Sequence, residues 1–180
     1  MDLNTQRLLL REICWNDLEE IHKLHSEPEV DRFNTLGIPG DLEETRELMR
    51  PDIDVKNIEP QGRYTWRIIL QNSGDFIGLA AITLSNDKFR LGEIYYKLLP
   101  EYWGRGYATE VAKCLIVTGF DKFRLHKVEA GVATENEKSI RVLEKAGMTR
   151  EGLRRKILPI RGEWKDNFHY AILEDDPRDY

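Results

Sequence analysis

Two glycines, Gly104 and Gly106, lie close together between a predicted strand and a predicted helix. Because glycine has no side chain, backbone N–H groups can converge on a ligand there, and the following helix N terminus adds partial positive charge. Such a loop can hold phosphate oxygens without a basic side chain. The spacing therefore indicates a phosphate-binding loop, although the same glycines could serve only to make a tight turn.

Two other glycine-rich motifs are partly similar to this loop or share its function. Gly104 and Gly106 begin like the dinucleotide-binding pattern GxGxxG, but the third glycine position is Thr109, and the preceding region is predicted to be antiparallel. The pattern GxxxxGK[ST] of nucleotide P-loops is absent from the sequence. A dinucleotide or nucleoside triphosphate site is therefore disfavoured.

A second polar pair opens a later helix, where Asn136 and Ser139 follow a predicted strand. Asn136 is well suited to cap the helix N terminus, and Ser139 is tolerated in a first turn. Taken alone, this segment is explained by capping. Next to a phosphate-binding loop, it also suggests a second contact to the same ligand.

The elements that must position these residues follow from periodicity and turn signals. The first half indicates an antiparallel meander and the second half an alternation of strands with helices. The predicted strands are residues 8–13, 64–70, 76–84, 91–99, 127–133, 148–157 and 164–173. The predicted helices are residues 16–25, opened by a capping box of Asn16 and Glu19, 41–50, ending before Pro51, 108–123 and 136–146. Residues 26–40 are predicted to be mostly loop, and 174–180 a frayed tail.

Composition excludes several classes of function. The chain has 180 residues, enough for one domain, and a net charge of −5, which argues against direct nucleic-acid binding. Cys14 and Cys114 lie far apart without ligand-like spacing, so we expect neither a zinc nor a redox site. The N terminus lacks signal-peptide features, and no apolar run is long enough to span a membrane. We expect a cytoplasmic protein with no membrane partner.

Taken together, the two polar segments resemble the GNAT superfamily of N-acetyltransferases. Residues 100–110 are similar to its pyrophosphate loop, usually [QR]-x-x-G-x-[GA], and residues 135–148 to its motif N-x-x-[SA] running to K-x-G-[FM]. Residues 5–11 and 162–166 resemble the branch of ribosomal-protein-alanine N-acetyltransferases. The resemblance implies one α/β (α+β) domain over residues 1–180, with a mixed, mostly antiparallel sheet flanked by helices. It also implies acetyl-CoA as cosubstrate, in a cleft between strands 91–99 and 127–133.

The resemblance carries over to individual residues. It implies that acetyl-CoA is held by Asn136 and by the backbone of the loop, comprising Trp103, Gly104, Arg105, Gly106, Tyr107, Ala108 and Thr109. A backbone N–H near Leu98 or Leu99 is the expected donor to the developing oxyanion. Many relatives place a thiolate-protonating Tyr where this chain has Leu143, and the resemblance moves that role to Ser139.

The acceptor amine must be neutral to attack the thioester, so the required base depends on the amine. An α-amino group titrates roughly 2.5 units below a lysine and can therefore rely on a weak, water-relayed base. Glu93, on the strand before the loop, is the candidate, and it could equally be a solvated edge carboxylate. His169 and Tyr170 are second choices.

The acceptor itself has no readable motif, because specificity is expected from residues 26–62. Glu27, Glu29 and Asp31 cluster there and could steer a cation or form only a solvated face. The leading function is acetylation of a ribosomal or other protein N-terminal α-amine. The alternatives are a small-molecule amine, of polyamine or aminoglycoside type, and a non-catalytic acyl-CoA binding module.

Overall fold

The computed structural model describes residues 1–54, 62–85 and 88–180. Its strands are β1 (Leu3–Asn4), β2 (Leu8–Glu12), β3 (Arg63–Leu70), β4 (Phe76–Leu84), β5 (Leu91–Leu98), β6 (Lys127–Ala133), β7 (Thr149–Ile160) and β8 (Glu163–Leu173). Its α-helices are α1 (Leu18–His25), α2 (Pro28–Asp31), α3 (Leu42–Ile53), α4 (Tyr107–Asp121) and α5 (Glu137–Lys145). Within the described residues, no helix combines the length and apolar character that crossing a membrane requires.

The strands form one sheet of eight, in the order β1-β2-β3-β4-β5-β6-β8-β7. Strands β2 to β5 form the predicted antiparallel meander, and β5 and β6 form a parallel pair. The β4 and β6 bounds coincide with the predicted ones. The predicted α/β class with a mixed, mostly antiparallel sheet is confirmed.

The two faces of the sheet carry different helices. Helices α4 and α5 pack on one face, where Ile94 and Leu98 of β5 join their apolar core. Helices α1 and α3 pack on the other face, where Leu99 joins a second cluster. Because side chains alternate along a strand, the even-numbered residues of β5 face α4 and α5, and the odd-numbered ones face α1 and α3.

The first helix begins differently from the prediction. A 3₁₀ turn covers Trp15–Asp17, and α1 starts at Leu18, so the capping box of Asn16 and Glu19 is wrong. Asp17 occupies that end instead: it accepts from the Cys14 N–H at 2.8 Å and pairs with Arg67 at 2.6 Å. A long-range ion pair on the sheet thus takes precedence over the local capping pattern.

Two further predictions are corrected, the end of α3 and the loop assignment of residues 26–40. Asp41 caps α3 as predicted, by accepting from the Glu44 N–H at 2.8 Å, but the helix continues through Pro51 to Ile53. Proline removes one backbone donor near the helix end, and burial of Ile53 in the core holds the last turn. Within residues 26–40, predicted to be mostly loop, lies the short helix α2.

The C-terminal tail is anchored on α4 and α5, so the prediction of a frayed end is wrong. The Tyr180 hydroxyl donates to the Ala146 carbonyl at 2.6 Å, at the end of α5. The Lys113 ammonium lies 4.3 Å from the centre of the Tyr180 ring, and the Arg178 guanidinium lies 4.5 Å from that of Phe120. These cation–π contacts hold the charged tail against α4.

Candidate active site

The cleft between β5 and β6 is the central feature of the site. The two parallel strands pair only at Leu91↔Lys127, Gly92↔Val128 and Glu93↔Glu129. Both strands then continue, β5 to Leu98 and β6 to Ala133, beyond this register. Their C-terminal halves therefore diverge and leave an opening in the middle of the sheet, as predicted for the acetyl-CoA cleft.

The hydrogen-bond register decides which β5 backbone groups face this opening. The Leu99 N–H donates to the Ile77 carbonyl of β4 at 2.9 Å, and the Ser85 N–H donates to the Leu91 carbonyl at 2.9 Å. In an antiparallel pair the bonded residues alternate, so the odd-numbered residues of β5 bond to β4 and the even-numbered ones point toward β6. Leu99 is thus excluded as an oxyanion donor, and Leu98 remains the candidate, together with Tyr96.

The glycine loop lies between the end of β5 and helix α4. Gly104 and Gly106 have positive φ angles of 74° and 82°, a left-handed backbone that disfavours a side chain. The first helical bond of α4 runs from the Glu110 N–H to the Gly106 carbonyl at 3.1 Å. The N–H groups of Tyr107, Ala108 and Thr109 therefore have no partner within the helix and can bind an anion, beside the exposed Arg105.

Trp103 has a different role from the one predicted for its backbone. Its N–H donates to the Pro100 carbonyl at 3.1 Å within a 3₁₀ turn, Pro100–Tyr102. Its indole donates to the Leu98 carbonyl at 2.8 Å, and the Lys138 ammonium lies 4.4 Å from the ring centre. The indole thus joins the end of β5 to the first turn of α5 and shapes the cleft.

Asn136 caps helix α5 with one side-chain atom and keeps another available. Its Oδ1 accepts from the Ser139 N–H at 3.2 Å. The amide nitrogen is a second polar group on the same side chain, so a cap and a bond to the pantetheine arm are compatible. The capping interpretation is confirmed, and the cofactor contact stays a prediction.

Ser139 interacts with a residue that the sequence reading missed. Tyr96 lies on the α5-facing side of β5, and its hydroxyl lies beside the Ser139 side chain. Burial raises the pKa of Tyr96, an increase that Ser139 opposes, so the phenol is protonated at neutral pH. Leu143 is only 2% exposed, in the core between α4 and α5. A phenol from the strand thus stands near Ser139, where the helix supplies none at Leu143.

Glu93 lies on the opposite face of the sheet from Ser139. It belongs to the last register pair before the strands diverge, and its odd-numbered position places it on the side of α1 and α3. Its side chain is exposed. Glu93 and Ser139 therefore flank the opening from opposite faces, and their roles as proton acceptor and proton donor stay predictions.

The structure places the two second-choice bases, Tyr170 and His169, on opposite faces of the sheet. Tyr170 is buried under α5 and its hydroxyl bonds Glu144 at 3.2 Å, so it does not reach the opening. His169 lies on the other face, with its Nε2 3.2 Å from Glu129, the register partner of Glu93. Sequence reading missed Glu129, because its proximity to Glu93 depends on strand register.

Glu129, Glu151 and His169 are close enough to hold a metal ion. The Lys127 ammonium already contacts this group, 2.7 Å from Glu151 and 3.4 Å from Glu129. A cation of this chain thus balances the two carboxylates. The expectation of no metal stays a prediction.

The acidic cluster at the start of the acceptor region is split by burial. Asp31 is buried and pairs with Arg161 of the β7–β8 turn at 3.2 Å. Glu27 is half-buried and Glu29 exposed, so the three carboxylates do not form one site.

A cavity of about 320 Å³ opens beside Arg161, between the β7–β8 hairpin and Phe33. Residues 55–61 of the predicted specificity segment lie outside the described residues.

Lys97 and His25 are buried on the same face as Glu93. Burial lowers the pKa of Lys97 to about 8, against the opposing charge of Asp31. Burial also lowers the pKa of His25 to about 3, with Lys97 adding to the effect. At neutral pH this region contains a buried ammonium beside a neutral imidazole.

A splayed parallel strand pair, inward-facing backbone donors and a glycine loop at a helix N terminus suit a nucleotide-bearing acyl thioester. The class defined by this fold and site is that of acyl-CoA-dependent acyltransferases. Residues 7–149 match the family model described as an acetyltransferase (GNAT) domain. The chain belongs to this family, and it is an acetyl-CoA-dependent N-acetyltransferase.

Curated relatives span nearly the whole chain. It is 29% identical to the uncharacterized N-acetyltransferase YnaD of Bacillus subtilis (strain 168), covering 98% of this chain and 99% of YnaD. It is 29% identical to the spermidine N(1)-acetyltransferase of Escherichia coli (strain K12), covering 92% and 85%. It is 28% identical to the putative ribosomal N-acetyltransferase YdaF of B. subtilis, covering 76% and 73%.

Solved structures share the fold. A GNAT-family acetyltransferase from Bacillus anthracis is 31% identical with a TM-score of 0.85, covering 98% of this chain and 100% of that one. Spermidine N-acetyltransferase from Vibrio cholerae, in complex with CoA and spermine, is 25% identical with a TM-score of 0.81, covering 94% and 97%. The ribosomal-protein-S5-alanine acetyltransferase of Vibrio fischeri has a TM-score of 0.81, covers 99% of each chain and, at 22% identity, is a likeness of fold.

Proposed function

We propose that this cytoplasmic enzyme acetylates the α-amino group of a ribosomal or other protein N terminus by direct attack of the amine on the acetyl-CoA thioester. Acetyl-CoA supplies the electrophilic carbonyl. The chain holds it through the backbone of residues 104–109, the side chain of Asn136 and the inward-facing N–H groups of Leu98 and Tyr96. The acceptor enters from the opposite face, beside Glu93.

The observation that carries this choice is the charge balance of the acceptor face. Asp31 is neutralised by Arg161, and Glu129 by Lys127. Buried Lys97 adds a positive charge to the same face. A polyamine carries several charges and needs several uncompensated carboxylates, whereas one α-amine needs only one.

The weak base available also favours an α-amine. Glu93 is exposed, so water can relay a proton between its carboxylate and the acceptor amine. Deprotonating a lysine would cost roughly 3 kcal/mol more than deprotonating an α-amine, from their ordinary pKa values. Glu93, acting through water, can therefore serve an α-amine better than a side-chain amine.

The proton for the departing thiolate comes from the other face. Ser139, on the first turn of α5, is the donor, and the Tyr96 hydroxyl of β5 lies beside it. A phenol is protonated at neutral pH, and burial raises the pKa of Tyr96 further, so Tyr96 can orient the Ser139 hydroxyl by donating a hydrogen bond to it. The Leu98 and Tyr96 N–H groups are the donors to the developing negative charge.

A second candidate acceptor is a polyamine. It is favoured by the two relatives named spermidine acetyltransferases and by Glu27 and Glu29, which could attract a cation. The charge balance described above argues against it. A non-catalytic acyl-CoA module is disfavoured by family membership and by the Tyr96–Ser139 contact.

An acceptor panel separates these functions. The purified protein is incubated with acetyl-CoA and, separately, free-amine peptides, the same peptides with blocked N termini and an internal lysine, and spermidine. We expect mass spectrometry to find acetylation of free α-amines, with blocked peptides unchanged. Faster acetylation of spermidine than of every peptide would contradict the peptide assignment and favour the polyamine.

A further inference from the structure

Arg7, in the short connection between β1 and β2, contacts the glycine loop from outside. Its Nη1 donates to the Arg105 carbonyl at 3.0 Å, and its guanidinium lies 4.5 Å from the centre of the Tyr107 ring. Its Nη2 would be 3.4 Å from a Cβ added to Gly106. One side chain therefore contacts the loop residues on both sides of Gly106, Arg105 and Tyr107.

The same arginine binds a carboxylate in the first turn of α4. Its Nε donates to Glu110 Oε2 at 2.7 Å, while its own N–H and the Thr5 hydroxyl donate to Oε1 at 2.8 Å and 2.6 Å. Burial would raise the pKa of Glu110, but the bonds from Thr5 and Arg7 hold it below its ordinary value. Glu110 is therefore ionised at neutral pH.

This carboxylate lies where an anionic ligand is expected to bind. Glu110 belongs to the helical turn whose N–H groups have no partner within the helix, at Tyr107, Ala108 and Thr109. A negative charge there would oppose a phosphate, because both compete for the positive end of the helix. Without a counter-charge, Glu110 would weaken the phosphate site.

The Arg7 segment is itself held firmly. The Gln71 side chain donates to the carbonyls of Thr5 at 3.1 Å and Leu8 at 2.9 Å, and its N–H donates to the Arg7 carbonyl at 3.0 Å. The turn between β3 and β4 thus fixes the backbone that presents Arg7. This support distinguishes the contact from a mobile surface ion pair, which contributes little.

We propose that Arg7 is a positioning residue for the coenzyme A pyrophosphate: it cancels the charge of Glu110 and fixes the loop from Arg105 to Tyr107. The inference rests on the proposed placement of the pyrophosphate at residues 104–109. Among the described residues, the contacts of the Arg7 side chain lie on the cofactor side of the molecule.

The test is a double-mutant cycle with CoA affinity measured by calorimetry. Arg7→Met should weaken CoA binding about tenfold, because it leaves Glu110 uncompensated. Glu110→Gln alone should change it less than about threefold, and the double variant should recover to within about threefold of the wild type. As a second readout, S-acetylpantetheine, which lacks the pyrophosphate, should be turned over equally by wild type and Arg7→Met.

Arg90→Met is the matched control, because Arg90 pairs with Glu174 at similar exposure and lies at the opposite end of β5. It should leave CoA affinity unchanged. An Arg7→Met affinity within twofold of the wild type would overturn the inference, as would a tenfold loss that persists in the double variant.

If Arg7→Met fails to fold, Arg7→Lys keeps the charge, and a folded Arg7→Lys with a tenfold loss would overturn the charge cancellation. Unchanged CoA affinity in Gly106→Val would instead contradict the proposed pyrophosphate site itself.

Discussion

The two faces of the sheet do chemistry in different ways. On the side of α4 and α5, the proposed ligand-binding groups are backbone N–H groups, an asparagine and two hydroxyls, and Glu110 is paired with Arg7. On the side of α1 and α3, the groups are charged, and most acids there have a basic partner.

This difference reflects what each face binds. In the proposed function, the cofactor side binds an invariant anion, for which fixed dipoles of backbone N–H groups suffice. The acceptor side would admit an amine and accept its proton, so its charges need balancing. Residues of the cofactor side can therefore be predicted from local sequence. The charge state of the acceptor side depends on ion pairs between residues that are distant in sequence.

The largest expected difference between the two faces comes from substituting one glycine on each, Gly106 and Gly162. Both have a left-handed backbone, with φ of 82° and 77°. Gly106→Val should weaken CoA binding at least tenfold and up to about a hundredfold, because valine is strained there and blocks phosphate approach. Calorimetry measures the affinity, and thermal unfolding verifies the fold.

The control, Gly162→Val, places the same strain in the turn beside Arg161. It should leave CoA affinity unchanged and alter the acceptor KM. Equal effects of the two variants on CoA binding would show that the faces do not act separately.

The charge of the acceptor face can be tested through Lys97. In the unfolded chain its pKa returns to the ordinary lysine value, so between about pH 8 and 10.5 only the unfolded state keeps the proton, and stability rises with pH. Below pH 8 the folded state carries the full cost of burying the charge. Lys97→Met should therefore stabilise the protein by about 2 kcal/mol at pH 7.

Urea unfolding across this range measures the effect. The gain of Lys97→Met over the wild type should shrink as pH rises toward 10.5. A gain that is independent of pH would contradict the buried-charge account.

The hydroxyl pair tests the proton donor on the cofactor side. Ser139→Ala should lower kcat roughly tenfold with little change in CoA affinity, because a positioned acid typically contributes tenfold or more and water replaces it in part. Tyr96→Phe should lower kcat less, and the double variant should fall little below Ser139→Ala, since the two act as one unit. Independent, multiplicative losses would separate Tyr96 from Ser139.

The smallest expected effect concerns the base. Glu93→Gln should lower turnover about fivefold at pH 7 and recover as pH rises, because more of the amine is then already neutral. Recovery should be more complete with an α-amine peptide than with a lysine acceptor. Wild-type turnover at pH 7 would remove Glu93 from the mechanism.

The sequence by itself determined the cofactor side. The glycine loop, the strong helix after it and the Asn136 cap are formed by neighbouring residues, and left-handed glycines and N-caps have local signatures. The meander was readable for the same reason, since its strands are joined by short turns. These features agree with the structure almost to the residue.

Only the tertiary structure decided the rest. Whether Leu98 or Leu99 faces the cleft depends on register with β4, and a shift of one residue reverses the direction of every backbone group. The partnerships of Ser139 with Tyr96 and of Arg7 with Glu110 join segments that are distant in sequence, so no local pattern records them. Asp17 and Asp31 likewise found long-range arginines, because a buried carboxylate is stable only where the fold brings a counter-charge to it.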